Sequence, residues 1–537
     1  MKRMICLFLA LLMLAGCAAD PSSPKQATKS TEAAPQEETD PKPSRQTNRS
    51  SGSFGLAYVP EYGLNPYSCN CITNRPILSL TYESLFVLNH SYEPEPVLCD
   101  QFAVSADGKH YLLTILPDAE FSDGTPVTAA DAVASLEAAR DSEYYGSRFS
   151  KVDRFRAVDD RKLAIDLYYS YENLPLLLDV PIVKAGTQKE DYPIGSGPYY
   201  LSTGAKLTLR RNHDWWQNRN APIEYQTITL TATKDPTETR DSFEFGTTSL
   251  VCADLNAPNA VGYRCDYELW DCPTTSMMYL GFNTAAGMFV NREFRAGITH
   301  VIDRSAITTT IYKGFAEAAC LPCSPDSPLY DAELAKSYAY DPSAFALART
   351  HANLSPDYVG TLLVCSADST RVETAHRIAD MMDDAGLRVE VAPVDYDTFH
   401  YRLLTGDFDC YLGETRLSAN FDLTEFFKRY GKLSFGSIES KAMEKLCYDA
   451  LENSGNCYDL FRNVMEQGFF CPLLFKSYAV MGGRGAITSL QPALDNVFHL
   501  SDGRSLADAG TVYEILTGEI SEVEPEETSQ PTEPLLP

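Results

Sequence analysis

The chain has 537 residues, 44% apolar and 22% charged, and its 45 Lys and Arg against 73 Asp and Glu give a formal net charge of −28. So acidic a balance argues against a nucleic-acid partner and against a polybasic membrane patch, because both rest on attraction to phosphate. The length exceeds what one hydrophobic core normally serves, so two or three lobes are expected.

Met1-Lys2-Arg3, the apolar run from Met4 to Leu14 and the small-residue stretch ending at Cys17 have the layout of an export signal. The apolar run is too short to cross a hydrocarbon core of ~30 Å. Leu14-Ala15-Gly16-Cys17 resembles a lipobox, so residues 1–17 are expected to be a lipoprotein signal peptide, with Cys17 diacylated as the lipid anchor and mature N-terminus. Each buried CH₂ of an acyl chain contributes ~0.8 kcal/mol, and two chains make a stable anchor. Loss of Lys2 and Arg3 takes the charge from −28 to −30, which leaves membrane attachment to the lipid alone. Residues 18–52 are rich in Ser, Thr, Pro, Gln and Glu and form a disordered tether with a mean reach of roughly 30 Å. Residues 516–537 make an acidic disordered tail, with six Glu, four Pro and no basic residue from Glu519 onward.

Between tether and tail, Ser105 to Pro117 is a tight turn feeding an apolar strand, and Asp123-Gly124 is a further turn. Thr128 and Asp131 then form a capping box, with Ala129, Val133, Leu136 and Ala139 at helical spacing behind it. Leu163, Ile165 and Leu167 alternate with Ala164, Asp166 and Tyr168, and Thr227 to Thr233 alternates more strictly, so both read as half-buried strands. Gly195 and Gly197 before Pro198 suit a sharp turn into a strand. Phe294, Ile298, Val301 and Ile302 make a helix face, with Ser305 as the expected cap of the next helix. Val372, Ala375, Ile378 and Met382 mark another helix, stopped at Gly386 and followed by a strand at Leu387, Val389 and Val391. The unit repeats with Tyr396, Phe399 and Leu403 on a helix, Gly406 at its end and a strand from Phe408 to Leu412. Such βαβ alternation places the body in the α/β class.

Thirteen of the fifteen cysteines lie beyond Cys17, an odd number that leaves at least one thiol unpaired in a monomer. Cys69 with Cys71, Cys320 with Cys323, and the trio Cys252, Cys265 and Cys272 are close enough in sequence for disulfides, though spacing does not give connectivity. No helix follows Cys320-Leu-Pro-Cys323 to depress a thiol pKa, so a loop clip or two free thiols is expected there. Phosphate-loop, serine-nucleophile and zinc-hydrolase motifs are missing, and the eight histidines are scattered, so neither metal nor cofactor is expected.

Phe121 to Leu136 resembles the F-x-D-G-x-P-x-T-A-x-D-V run of the family 5 extracellular solute-binding proteins, the receptors of peptide and nickel ABC importers. Leu80 to Leu85, Gly195 to Tyr199 with Leu207 to Trp216, Tyr279 to Asn283 with Phe294 to Arg304, and Tyr340-Asp341-Pro342 resemble further motifs of that family in the expected order. Trp215-Trp216 falls in such a segment, so it is assigned to packing rather than to ligand stacking. The resemblance implies a periplasmic-binding-protein-like fold, class II in its large three-lobe form, with an interlobe ligand cleft. It places lobe I at 53–86, 191–270 and 479–515, an inserted lobe II at 87–190 and lobe III at 271–478. It also implies a cleft with one wall at Tyr58, Val59 and Glu61 and another at Leu412, Gly413, Glu414 and Arg416. Gly413 would allow close approach of a ligand to the backbone. The second wall lacks the Trp and Asp familiar in peptide receptors, so Glu414 or Asp422 would have to supply the carboxylate that meets a peptide ammonium, while Arg416 suits a ligand carboxylate.

The resemblance therefore implies a monomeric receptor, lipid-anchored on the outer face of the cytoplasmic membrane or in the periplasm. It would capture an oligopeptide-like solute by lobe closure and deliver it to ABC permease subunits, without enzymatic chemistry. An anchored acidic hydrolase using paired carboxylates and a sensory lipoprotein on the same fold are the alternatives.

Overall fold

A computed structural model describes residues 53–217, 223–350, 357–487 and 490–501; the signal, Cys17, the tether and the acidic tail lie outside them. Among the described residues no helix is long and apolar enough to cross a membrane. The main sheet has eleven strands. At its centre two long strands, Tyr267–Phe282 and Phe470–Gly483, run antiparallel to one another. On one side of this pair Leu250–Ala253, Phe54–Tyr58, Thr227–Ala232 and the hairpin Thr208–Arg211 with Tyr199–Ser202 follow in order. On the other lie Cys410–Arg416, Gly360–Cys365 and Val389–Val394, a parallel trio whose crossovers are the helices Ser369–Asp384 and Tyr396–Thr405. A separate antiparallel sheet joins Cys99–Val104, His110–Ile115, Lys162–Leu167 and Val152–Ala157, with the helix Ala129–Arg140 packed against it.

Local chemistry explains the helix starts. The Thr128 hydroxyl accepts from the Asp131 amide, and Asp131 accepts from the Thr128 amide at 2.9 Å and from the Ala185 amide at 2.7 Å. The same carboxylate thus caps the helix and fastens the chain that returns across it. Gly386 and Gly406 adopt left-handed φ of 77° and 71°, as their stop positions require. The helix Arg304–Thr310 is capped by Asp303, not Ser305, because Asp303 stands immediately before the helix and its carboxylate accepts from the Ala306 amide at 3.0 Å. Within 396–405, Phe399 and Leu403 are buried but Tyr396 is exposed, stacked on His400 one turn later.

The strand at 162–167 is buried on both faces rather than half-buried. Asp166 accepts from Arg154 Nε at 2.6 Å and from Arg156 Nε at 3.1 Å and contacts His110 Nδ1 at 2.8 Å, so long basic side chains cover its outer face. Burial acts to raise this carboxyl, but those partners outweigh it and hold it well below the usual range. The Thr227–Ala232 strand keeps the expected alternation. Gly195 and Gly197 are required by close approach: a Cβ at either would stand 2.2 or 2.6 Å from a carbonyl oxygen at the end of the helix Arg75–Thr81. The thirteen described cysteines are free thiols. Cys252 and Cys272 pair with residues on opposite edges of the 470–483 strand, which sets them about 10 Å apart, beyond disulfide reach. Burial pushes the Cys323 thiol well above its ordinary range, opposite to the lowered value of a reactive thiol.

Trp215 and Trp216 both donate their indole N–H to Glu83 Oε1, at 2.8 and 3.1 Å, and Trp215 is buried. They pack the scaffold and form no ligand platform. Burial raises the Glu83 carboxyl to about 7 despite these donors. The folded state then holds the proton to higher pH than the unfolded chain does, so stability falls as pH rises from about 4.5 to about 7 and stays low above it. Glu83→Gln keeps an acceptor for both indoles without the buried charge. It should exceed the native protein in urea-unfolding stability at pH 8 by roughly 3 kcal/mol, at ~1.36 kcal/mol per pKa unit, with the gap closing at pH 4.5; a gap independent of pH would refute this account.

Candidate functional site

The C-terminal end of the 54–58 strand is held by the fully buried Asn74, which was not anticipated. Its amide donates to the Val59 carbonyl at 3.1 Å and the Gly63 carbonyl at 2.8 Å, and its oxygen accepts from the Val59 amide at 2.8 Å. Val59 is thereby presented on the wall of a cavity of about 430 Å³ that also reaches Asn70, Asp235 and Asp254. A second cavity, about 550 Å³, shares Asn70 and is lined by Ser68, Ser142, Ser147 and Arg416 among others. A third, about 110 Å³, shares Tyr144, Arg148 and Arg416 with the second and reaches Arg75 and Asp495. Shared lining residues make these neighbouring cavities, ranged as a groove past the end of the first strand, the 142–148 segment and the end of the 410–416 strand.

Val59 and Arg416 are therefore brought to one groove. Tyr58 is half-buried, its carbonyl accepting from the Thr233 amide at 2.9 Å, and Glu61 sits exposed on the 3₁₀ turn Pro60–Tyr62. Leu412 is fully buried in the core with Met278 and Leu280, so it cannot face a ligand. Gly413 is accounted for by its neighbour strand: a Cβ there would lie 2.5 Å from the Tyr279 ring, so the space it frees holds protein rather than solute. Asp422 turns back on its own loop, accepting from the Thr424 amide at 2.8 Å and pairing with Lys151 at 3.3 Å.

Glu414 is engaged on both sides. Arg371 donates to one carboxylate oxygen at 2.6 Å and Lys476 lies 3.5 Å from the other, while Lys476 pairs with Asp254 at 3.0 Å. Burial acts to depress the Lys476 ammonium, but Glu414 and Asp254 outweigh it and push it above its ordinary value. One lysine from the central strand pair thus bridges the two halves of the main sheet. Arg416 pairs with Asp495, and its guanidinium carbon stands 4.9 Å from the centre of the Tyr144 ring. The three charged candidates of the second wall have separate partners and do not converge. Arg75, Tyr144 and Arg148 gave no periodic or motif signal, because they come from segments that only the fold brings together. No group of His, Cys, Asp or Glu suited to a metal ion occurs among the described residues.

A family model described as bacterial extracellular solute-binding proteins, family 5 middle, matches residues 93–434. The glutathione-binding protein GsiB of Escherichia coli K12 is 22% identical over 348 residues, 62% of this chain and 67% of that protein. The crystal structure of the ABC transporter substrate-binding protein CtaP from Listeria monocytogenes superposes with a TM-score of 0.68 at 15% identity, covering 83% of this chain and 97% of that one. The unliganded open form of the periplasmic murein tripeptide-binding protein MppA gives a TM-score of 0.66 at 17% identity, covering 81% and 94%. These likenesses show a periplasmic-binding-protein-like fold.

Removing Lys476 would leave Asp254 without its cation and Glu414 with only Arg371. Lys476→Met should cost about 3–5 kcal/mol in urea unfolding at pH 7, and a loss below 1 kcal/mol would show that the bridge is not structural.

Proposed function

The chain belongs to the bacterial extracellular solute-binding proteins of family 5, and on that premise we propose that it captures a peptide-like solute in this groove and hands it to an ABC permease. The observation that carries this reading is the groove itself, which runs from Val59 to Arg416 past three separate parts of the fold. Its largest cavity, about 550 Å³, lies in the size range of small-ligand sites. GsiB is named for glutathione and MppA for a murein tripeptide, both peptide ligands of a size for such a cavity. Micromolar capture needs about −8 kcal/mol, within reach of a few charge-assisted hydrogen bonds and partial apolar burial.

In this reading lobe I comprises 53–86, 191–270 and 479–515, lobe II 87–190 and lobe III 271–478, so the two long central strands form the passage between lobes I and III. The protein acts as a monomer held at the outer membrane face by Cys17 alone, with residues 18–52 as its tether. Tyr58 and Glu61 flank the groove entrance beside Val59. The family consists of solute-binding proteins, and nothing among the relatives favours the hydrolase alternative.

Full-length protein should melt several degrees higher with glutathione or a tripeptide library, since ligand at 100 times Kd stabilises by ~2.7 kcal/mol. No shift with either, together with no co-purified solute by mass spectrometry, would overturn the peptide reading. Cys17→Ala should move the expressed protein from the membrane to the soluble fraction; unchanged membrane retention would overturn the lipid anchor.

A further inference from the structure

The unit built on the four-stranded antiparallel sheet is fastened to the half of the main sheet that contains the 54–58 strand. The Tyr67 hydroxyl donates to the Pro181 carbonyl at 2.8 Å, and the Ser122 amide to the Gly195 carbonyl at 2.9 Å. The βαβ half, with the helices Lys441–Glu452 and Cys457–Gln467 that follow it, is joined to the 54–58 half through the two long central strands. Among the described residues no strand pairing links the antiparallel unit to the βαβ half, yet the two meet along a seam. There Lys151 Nζ lies 3.3 Å from Asp422 Oδ2 and 5.3 Å from the centre of the Tyr448 ring, on which the Tyr169 ring also rests at 5.1 Å. The Glu172 amide donates to the Leu451 carbonyl at 3.1 Å, and the Glu172 carboxylate accepts from the Ser454 amide at 2.8 Å. Side chains cross in both directions. Leu451 is buried in the core of the antiparallel unit, and Leu88, Tyr92 and Leu176 are buried in the core that holds Phe421, Phe426 and Phe475.

The seam also carries backbone strain. Tyr92, in the turn between the strands Phe86–Leu88 and Pro94–Pro96, and Phe421 have φ of 58° and 53°, and their rings stand 5.1 Å apart. A bulky side chain in the left-handed region persists only where its surroundings over-determine it. Each of these two supplies the other's surroundings, from opposite sides of the seam. Apolar contact and the ion pair draw the sides together while strain at Tyr92 and Phe421 opposes them, the balance expected of a contact with two arrangements. Lys151 and Asp422 stand just beyond the 142–148 and 416–418 segments that line the cavity of about 550 Å³, so the pair fixes how far apart those walls can move. We propose that this seam is a latch on the groove: it parts and closes as a unit while both sides stay folded, and its parting limits the entry and release of solute. What the latch admits rests on the capture reading above, but its opening is measurable without a solute. Asp422 then serves the opening of the groove through Lys151, and the buried apolar residues make the closed arrangement the resting one.

The test follows hydrogen exchange of the ligand-free full-length protein at the Glu172 and Ser454 amides, whose bonds cross the seam, and at the strand amides of 163–167 and 410–412. The two seam amides should exchange together and faster than the strands. Lys151→Met, which removes the ion pair and the cation over Tyr448 but touches neither seam amide, should speed both by about tenfold and leave the strand amides unchanged. Lys151→Asp combined with Asp422→Lys should restore the slower rate, which separates loss of the latch from a general loosening. Seam amides that exchange only at the rate of the strands, or that ignore Lys151→Met, would overturn the latch. In a second arm a bound tripeptide library should leave Lys151→Met severalfold faster than the native protein, and equal release would overturn the gating role. If no tripeptide binds, peptide capture fails while the exchange rates alone decide whether the seam opens as a unit.

Discussion

Everything in this molecule hangs on the pairing of the strands at 267–282 and 470–483. One stretch of the pair, Tyr267 to Pro273 opposite Gly483 to Ser477, belongs with the parallel strands around residue 54. The other, Met277 to Gly281 opposite Phe475 to Phe470, belongs with the βαβ strands after residue 360. Between them the register slips, and a slip in a ladder leaves backbone groups to be satisfied by other means. Here threonines do so: the Thr274 hydroxyl donates to the Lys476 carbonyl at 2.7 Å, and the Thr275 hydroxyl to the Leu417 carbonyl at 2.6 Å. The irregularity is thus built in, at the place where the two halves of the main sheet meet.

The same place carries the charge bridge. Lys476 leaves the slipped region to meet Asp254 of one half-sheet and Glu414 of the other. Burying three charges is favourable only when each is paired, and Arg371 completes the set at Glu414. Glu414, one of the two carboxylates that the family resemblance offers as a ligand partner, is thereby already paired within the protein.

The motifs that mark the family are scaffold rather than ligand surface. Arg295 and Arg304, both buried, donate to the carbonyls of Gln467, Gly468 and Pro472 and so tie down the start of the 470–483 strand. Asn283 donates to the carbonyls of Gly406 and Phe408, and Asp341 caps the helix Pro342–Arg349. Glu83 gathers the two tryptophans. Each is a polar group whose partners are backbone atoms or indoles fixed by the fold, so its role is to hold the architecture rather than to meet a ligand.

Local order made part of the structure legible in the sequence alone. The capping box at Thr128, the glycine stops at 386 and 406 and the apolar periods of the helices and strands depend on residues within a few positions, and the α/β class follows from them. The cap at Asp303 lies two positions before the expected Ser305, since both residue types serve and only the realised helix start distinguishes them. The groove was legible only in outline. Val59 and Arg416 line its cavities, whereas Leu412, Gly413, Glu414 and Asp422 are taken up by core, neighbouring ring, ion pairs and loop. Which face of a strand meets solvent, and which charge finds a partner, is decided by segments tens to hundreds of residues away. Arg75, Tyr144 and Arg416 carry no common signal in the sequence and are brought together only by the fold. Sequence determined the elements and their company because those rest on short-range sterics and hydrogen bonds; tertiary structure decided the chemistry of the groove because charge pairing there is a long-range property of the folded chain.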